Sequence, residues 1–408
     1  MDSQKLNEEK NNTEPKLNND SNEPITEKKI SSESKINQEK KFIGEILQEK
    51  KFENNYKSIS FKKQKSKQEN FLNILKLIAP GTILREAIDD IIRARNGALI
   101  VLDASGLGKL IEGGFRVNCR LTSQRLVELS KMDGAIIISK DLSKILYSNT
   151  LLIPDSNIPS IETGTRHKAA ERTAKQLETL IIAISERRRT ATLYHGNTRY
   201  LVRGTQELLR RAIESLQILE KQSEIFNDML LKFNTLEFTK LVTLNDVCML
   251  IQRAEIMIKI FSIIKRHVIE LGKESTIIKI RLRELMKDIE KEELSIISDF
   301  SKLKVKKTKN LLSILSLEEL LDITNILLAL GYSNKDLAVS SKGYRILNKL
   351  GLPEKEIKIL IEGFQNFNNL LNTSFEKIVE KLKDKKKAKA LQEKLTSMKE
   401  QAILGKKI

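Results

Sequence analysis

The run Met132-Asp133-Gly134-Ala135-Ile136-Ile137-Ile138 constrains the fold most strongly. A carboxylate and a glycine stand at the mouth of an apolar, β-branched stretch, the pattern of a buried strand. Residues 98–102 and Leu180 to Ser185 are continuous apolar runs of the same kind. Helical periods lie between them. Ile83 to Arg95 places Leu84, Ile88 and Ile91 on one face and Arg85, Asp89 and Arg93 towards water, and Asn96-Gly97 stops it. Thr122 to Ser130 carries Leu126, Val127 and Leu129. Ser143 to Ile153 is expected as a strand pair ending at Pro154, and residues 191–194 and 199–202 as a hairpin around Gly196-Asn197. Strands alternating with helices predict a mixed sheet covered by helices, an α/β domain.

A second motif, Gly164-Thr165-Arg166-His167-Lys168, runs into Ala169-Ala170-Glu171-Arg172-Thr173-Ala174-Lys175-Gln176. The Ala-rich tract forms helix well, and Glu171 and Lys175 stand at i, i+4 spacing. The basic cluster therefore falls at a helix start, where cations oppose the dipole unless an anion sits among them. The free N–H groups of a helix start also receive an anion. The motif reads as a phosphate cradle and Asp133 as a carboxylate available to a metal ion. Taken singly, an Asp-Gly before a strand is a turn and an Arg-His-Lys is a solvated patch. Two such motifs in one compact α/β pattern point to a site.

Asp133-Gly134-Ala135 followed by Gly164-Thr165-Arg166-His167 resembles the paired signature of the diadenylate cyclases. Leu77-Ile78-Ala79-Pro80-Gly81-Thr82, residues 97–102, Glu112-Gly113-Gly114-Phe115 and residues 182–188 extend the likeness. It continues past the catalytic domain, over roughly residues 71–380, and so is specific to the DNA-integrity-scanning branch. The resemblance implies a reaction in which two ATP become cyclic di-AMP and two pyrophosphates. It assigns Asp133 to hold Mg²⁺ or Mn²⁺ and help activate the attacking hydroxyl. It assigns Gly134 to a backbone contact with adenosine, Thr165, Arg166, His167 and Lys168 to the triphosphate, and Ala169 to a helix-start amide. Leu152 and Ser185 match positions lining the nucleotide pocket. Asp133, Arg166 and His167 are the expected catalytic residues. Lys168 replaces the family's arginine, keeping the charge but losing bidentate geometry.

Composition agrees with such chemistry. The chain has 408 residues, room for two or three domains, with 40% hydrophobic and 31% charged residues. No apolar run approaches the ~18 residues of a membrane span, and the N-terminus carries no signal-peptide pattern, so a cytoplasmic protein is expected. Cys119 and Cys248 lack CxxC spacing, which argues against a disulfide scaffold or zinc. The 72 basic and 54 acidic residues leave a net charge of +18, which suits nucleotides or nucleic acid or reflects a lysine-rich composition alone. With three histidines (His167, His195 and His267, the last two read as surface residues) and no Ser-His-Asp arrangement, a hydrolase is the weaker reading.

Four regions are expected: a disordered polar extension at 1–68, with a transient helix from Lys41 to Leu47; a catalytic domain at 69–205; an all-α linker and oligomerisation domain at 206–318; and a helix-hairpin-helix-like domain with a basic tail at 319–408. In the linker, Leu209, Ile213, Leu216 and Leu219 form one apolar stripe. Val247, Leu250, Ile251, Ile258, Phe261 and Ile264 lie on a second long segment bounded by Thr243 and Gly272. The resemblance implies a closed octamer and a C-terminal domain that binds branched DNA. Here Lys381 and Lys383 replace the family's hairpin glycines, and Asp384 to Ala388 is expected to extend a helix. That departure predicts salt-sensitive, non-selective DNA attraction. The competing readings are a DNA-binding scaffold with a weak or vestigial site and a cyclic di-AMP sensor. Asp133 and Arg166 favour the enzyme, since a scaffold needs neither.

Overall fold

The computed structural model describes residues 71–406. The readings made for 1–68, including the helix at Lys41 to Leu47, lie outside the described residues.

An eight-stranded sheet organises the first region. In chain order its strands are β1 (Ala98–Leu102), β2 (Ile111–Glu112), β3 (Phe115–Arg120), β4 (Ala135–Ile138), β5 (Lys144–Leu152), β6 (Leu180–Ser185), β7 (Thr190–His195) and β8 (Thr198–Leu201). They lie in the order β2-β5-β4-β1-β6-β7-β8, with β3 also paired to β5. β1 and β4 run parallel and the remaining pairs antiparallel, the expected mixed sheet. Its central strands are apolar on both sides because both faces are covered. Ile100, Ile136, Ile138, Ile182 and Ile184 pack with helix α1 (Ile83–Arg93) on one face. Leu99, Val101, Ala135, Ile137, Ile181 and Ala183 pack on the other with Ala170 and Ala174 of helix α3 (Thr165–Leu177). Helix α2 (Ser123–Leu129) buries Leu126.

Two expectations fail here. Residues 144–152 form one strand rather than a pair, with register irregularities against β4 and a left-handed Asn149 (φ 54°). A bulge re-aims a strand without ending it, so the local interruption looked like a turn in the sequence. Arg85 is buried, not exposed. Its guanidinium donates to Asp89 (2.9 Å), to the Arg203 carbonyl (3.0 Å) and to the Thr205 hydroxyl (3.3 Å), the last two arriving over a hundred residues later.

The helical region begins with α4 (Thr205–Thr239) and α5 (Leu244–Leu271). Thr243 and Gly272 cap α5 as expected, the former in a reciprocal capping box with Asp246. On α4 the stripe is rotated: Leu208, Ala212 and Leu219 are buried, Leu209 and Leu216 are partly buried, and Ile213 is 41% exposed. Helices α6 (Thr276–Leu285), α7 (Ile289–Phe300), α8 (Val305–Ile314), α9 (Leu317–Leu321) and α10 (Ile323–Leu330) complete this core. Leu312, Leu320 and Leu330 share it, so it runs across the expected boundary at 318.

A further core gathers α11 (Tyr344–Lys349), α12 (Glu354–Phe364), α13 (Phe367–Leu371), α14 (Phe375–Leu382) and α15 (Lys385–Ile403) around Phe238 of α4. Buried charges tie it to the helices before it. Asp299 accepts from the Tyr344 and Arg345 amides (2.6 and 2.9 Å), and Arg345 pairs with Glu237. The expected continuous helix at Asp384 does not form. Lys383 adopts a left-handed conformation (φ 55°), and Asp384 starts a new helix by accepting from the Lys386 and Lys387 amides at 2.9 and 3.2 Å. An Asp N-cap at this junction outweighs the helix propensity of the lysines around it. Among the described residues no helix is long and apolar enough to cross a membrane.

Candidate active site

The Asp133 turn and the start of α3 meet at one cleft of about 550 Å³. It is lined by Asp133, Gly134, Leu152, Thr165, Arg166, His167, Ala169 and Ser185, all expected from the sequence, together with Leu99, Thr150, Glu186 and Arg187 among others. Lys168 is exposed and does not line it. One helical step from His167 turns its side chain away from the cleft.

Gly164 caps α3 in extended conformation and supplies no side-chain acceptor. The first amides of the helix therefore keep their capacity to bind an anion. One carried-over backbone role changes, that of Ala169. The Lys168 amide already bonds the Gly164 carbonyl at 2.8 Å. Ala169 lies one residue farther in, past the amides of Gly164 to His167 that lack an intrahelical partner, so it offers no free helix-start amide.

Gly134 has a reason internal to the protein. Its φ is +89°, and a Cβ there would lie 2.8 Å from the Thr150 carbonyl oxygen. Glycine lets the Asp133 turn lie against the bulged backbone of β5. Thr150 fixes the same crossing by donating its hydroxyl to the Ala135 carbonyl at 2.9 Å. Asp133 is exposed on the rim.

The loop that delivers the helix start is held by that helix. Glu171 accepts from the Ser160 hydroxyl (2.6 Å), the Ile161 amide (3.1 Å) and Lys175 (2.7 Å). Lys175 also reaches the Pro159 carbonyl and Arg172 the Ile158 carbonyl. Burial raises the Glu171 pKa, but these bonds outweigh it and hold the carboxyl below its usual range. Farther along the loop, Glu162 accepts from the Tyr194 hydroxyl (2.7 Å) and Arg199 (2.6 Å). Burial works against this carboxylate too, and the two donors again keep its pKa low. The Tyr194 ring meets His167 edge to face, centroids 6.4 Å apart. Burial lowers the His167 pKa despite the nearby Glu162, which favours the neutral imidazole.

Sequence reasoning missed Glu162, Tyr194, Arg199 and Gly97. The first three act across the sheet, with no local spacing to mark them. Gly97 carries a signal, a glycine at the entry to a buried strand, but in the sequence it marks only a helix stop and part of the family likeness.

Residues 85–199 match the family described as DisA bacterial checkpoint controller nucleotide-binding, and residues 202–339 match the DisA bacterial checkpoint controller linker region. The chain is 41% identical over 323 residues to the DNA integrity scanning protein DisA of Acetivibrio thermocellus, covering 77% of this chain and 90% of that protein. It is 43% identical over 322 residues to the DisA of Carboxydothermus hydrogenoformans, covering 76% and 92%. It is 39% identical over 349 residues to that of Clostridium botulinum strain Loch Maree, covering 83% and 99%. The chain belongs to the DisA-type diadenylate cyclases. The DisA nucleotide-binding match contains the whole cleft, from Leu99 to Arg187.

Among the described residues no group of three or more His, Cys, Asp or Glu side chains forms a protein-only metal cage. Mg²⁺ is commonly held by one or two carboxylates plus substrate phosphates. The exposed Asp133 carboxylate on the rim of the cleft fits a cation of that shared kind.

Proposed function

We propose that this protein condenses two ATP into cyclic di-AMP and two pyrophosphates. The observation that carries the reading is the meeting of Asp133 and the uncapped start of α3 at one cleft in a DisA-type chain. The 3′-oxygen of each ATP bonds to the α-phosphorus of the other as the bond to pyrophosphate breaks, and the two hydroxyl protons leave to solvent. Asp133 would hold Mg²⁺ or Mn²⁺, which neutralises charge at the α-phosphate and acidifies the attacking hydroxyl. Arg166 and the amides of Thr165, Arg166 and His167 bind phosphate oxygens, and neutral His167 donates one further hydrogen bond. Leu99 and Leu152 give the nucleotide an apolar wall, beside Gly134 and Ser185. Such transfer depends on positioning and charge neutralisation rather than on a covalent nucleophile.

One cleft takes one ATP, so the second comes from a facing chain. Leu151 on the cleft and Ile161 on its loop are 60% and 81% exposed, apolar surface suited to that contact. The assembly proposed is an octamer of two facing tetramers. The C-terminal helices are proposed to bind DNA by charge. Asp384 already occupies the amides at the start of α15, so a DNA phosphate has no free helix start there.

Asp133→Asn tests the reading. It removes the charge and keeps the shape, so the folded variant should yield no cyclic di-AMP from ATP and Mn²⁺ when products are identified by mass. Wild-type turnover in that variant would refute the assignment.

A further inference from the structure

Gly97 is buried at the entry to β1, one residue before Ala98. Its φ is not in the left-handed region, so its backbone conformation does not demand glycine. What demands it is space. A Cβ built on Gly97 would run into the Arg166 guanidinium: the three nearest atoms are Nη1, Cζ (2.9 Å) and Nη2 (3.3 Å) of that one side chain. Arg166 thus abuts the Cα of a residue distant in sequence, with Nη1 nearest, on a cleft also lined by Leu99. Gly134 and Gly97 differ in this respect. A side chain on Gly134 would strike the strand backbone, which cannot yield cheaply, whereas one on Gly97 would strike the free end of a flexible arginine.

We infer that Gly97 is a positioning residue for Arg166, setting where the guanidinium meets the nucleotide phosphates. A methyl group at 97 leaves the sheet intact and displaces the arginine, because the arginine is the softer partner. Orientation of a charged donor is a large part of its value to a transition state, and a displacement near 1 Å costs on the order of 10²-fold. The inference rests on the proposed reading of the cleft.

A double-mutant cycle tests it, with Gly97→Ala, Arg166→Ala and the pair measured for ATP affinity, cyclic di-AMP formation and thermal melting. Gly97→Ala should melt at or above the wild-type temperature, since alanine at a compatible φ restricts the unfolded chain. It should still lose at least tenfold in turnover or ATP affinity. In the Arg166→Ala background the same change should cost less than twofold, because the group it displaces is gone. Full activity and affinity in Gly97→Ala would overturn the inference. So would a loss that multiplies onto that of Arg166→Ala, or a melting drop large enough to explain the lost activity. A wild-type protein that binds ATP without forming cyclic di-AMP would refute the proposed function instead, and the affinity arm of the cycle would still decide Gly97.

Discussion

Arg166 and Lys168 stand two residues apart on one basic motif, yet the fold separates them. Arg166 lines the cleft against Gly97, whereas Lys168 is exposed outside it. Removing one preorganised donor typically costs about 10²–10³ in rate. Arg166→Ala should show a loss of that order in steady-state turnover. Lys168→Arg should stay within about threefold of wild type or exceed it, because the side chain acts on the cleft only through screened charge. A tenfold drop in Lys168→Arg would place the lysine in contact with substrate. Of the side chains that line the cleft, Asp133, Arg166 and His167 were legible from residue type and local spacing, and Leu152 and Ser185 only through the family resemblance. Their supports were not: Glu162 is oriented by Tyr194 and Arg199, and Arg166 by Gly97, pairings that sequence distance conceals. Arg85 misled for the same reason, since a charge on a helix reads as solvent-facing until its distant partners are known.

At the scale of elements, α3 both presents the proposed phosphate cradle and anchors the loop before it. Glu171 is the hub, buried and accepting three bonds. Its pairing with Lys175 was legible as an i, i+4 spacing, but its hold on residues 160–161 was not. Hydrogen bonds to charged groups are worth about 1.5–3 kcal/mol each, and part of that survives water replacing the carboxylate. Glu171→Ala should therefore lower unfolding stability by about 1.5–3 kcal/mol in urea titration, and it should raise the KM for ATP as the loop loosens. Unchanged stability and KM would show that the loop is held elsewhere. The strands were read well where apolar runs are continuous, as at 98–102 and 180–185. At 144–152 the bulge alternates buried and exposed positions irregularly, and the pattern was mistaken for two strands.

For the molecule as a whole, α4 links the regions, since Leu208 and Phe226 lie in the linker core and Phe238 in the C-terminal one. The region after 340 turns at Lys383-Asp384 despite lacking glycine there, and the first amides of α15 are satisfied by Asp384. Affinity for a four-way junction should accordingly match that for a duplex of equal length. Both should fall by orders of magnitude between about 50 and 200 mM salt if several phosphates are neutralised. A junction preference that persists at the higher salt would show a working hairpin. The central claim, that two facing clefts join two ATP, is tested most directly by product stoichiometry across a dilution series of the purified protein with ATP and Mn²⁺. The account predicts two pyrophosphates released per cyclic di-AMP, with turnover per chain falling once dilution separates the chains. Release of ADP or AMP without the cyclic dinucleotide, or full turnover by a monomer, would contradict it.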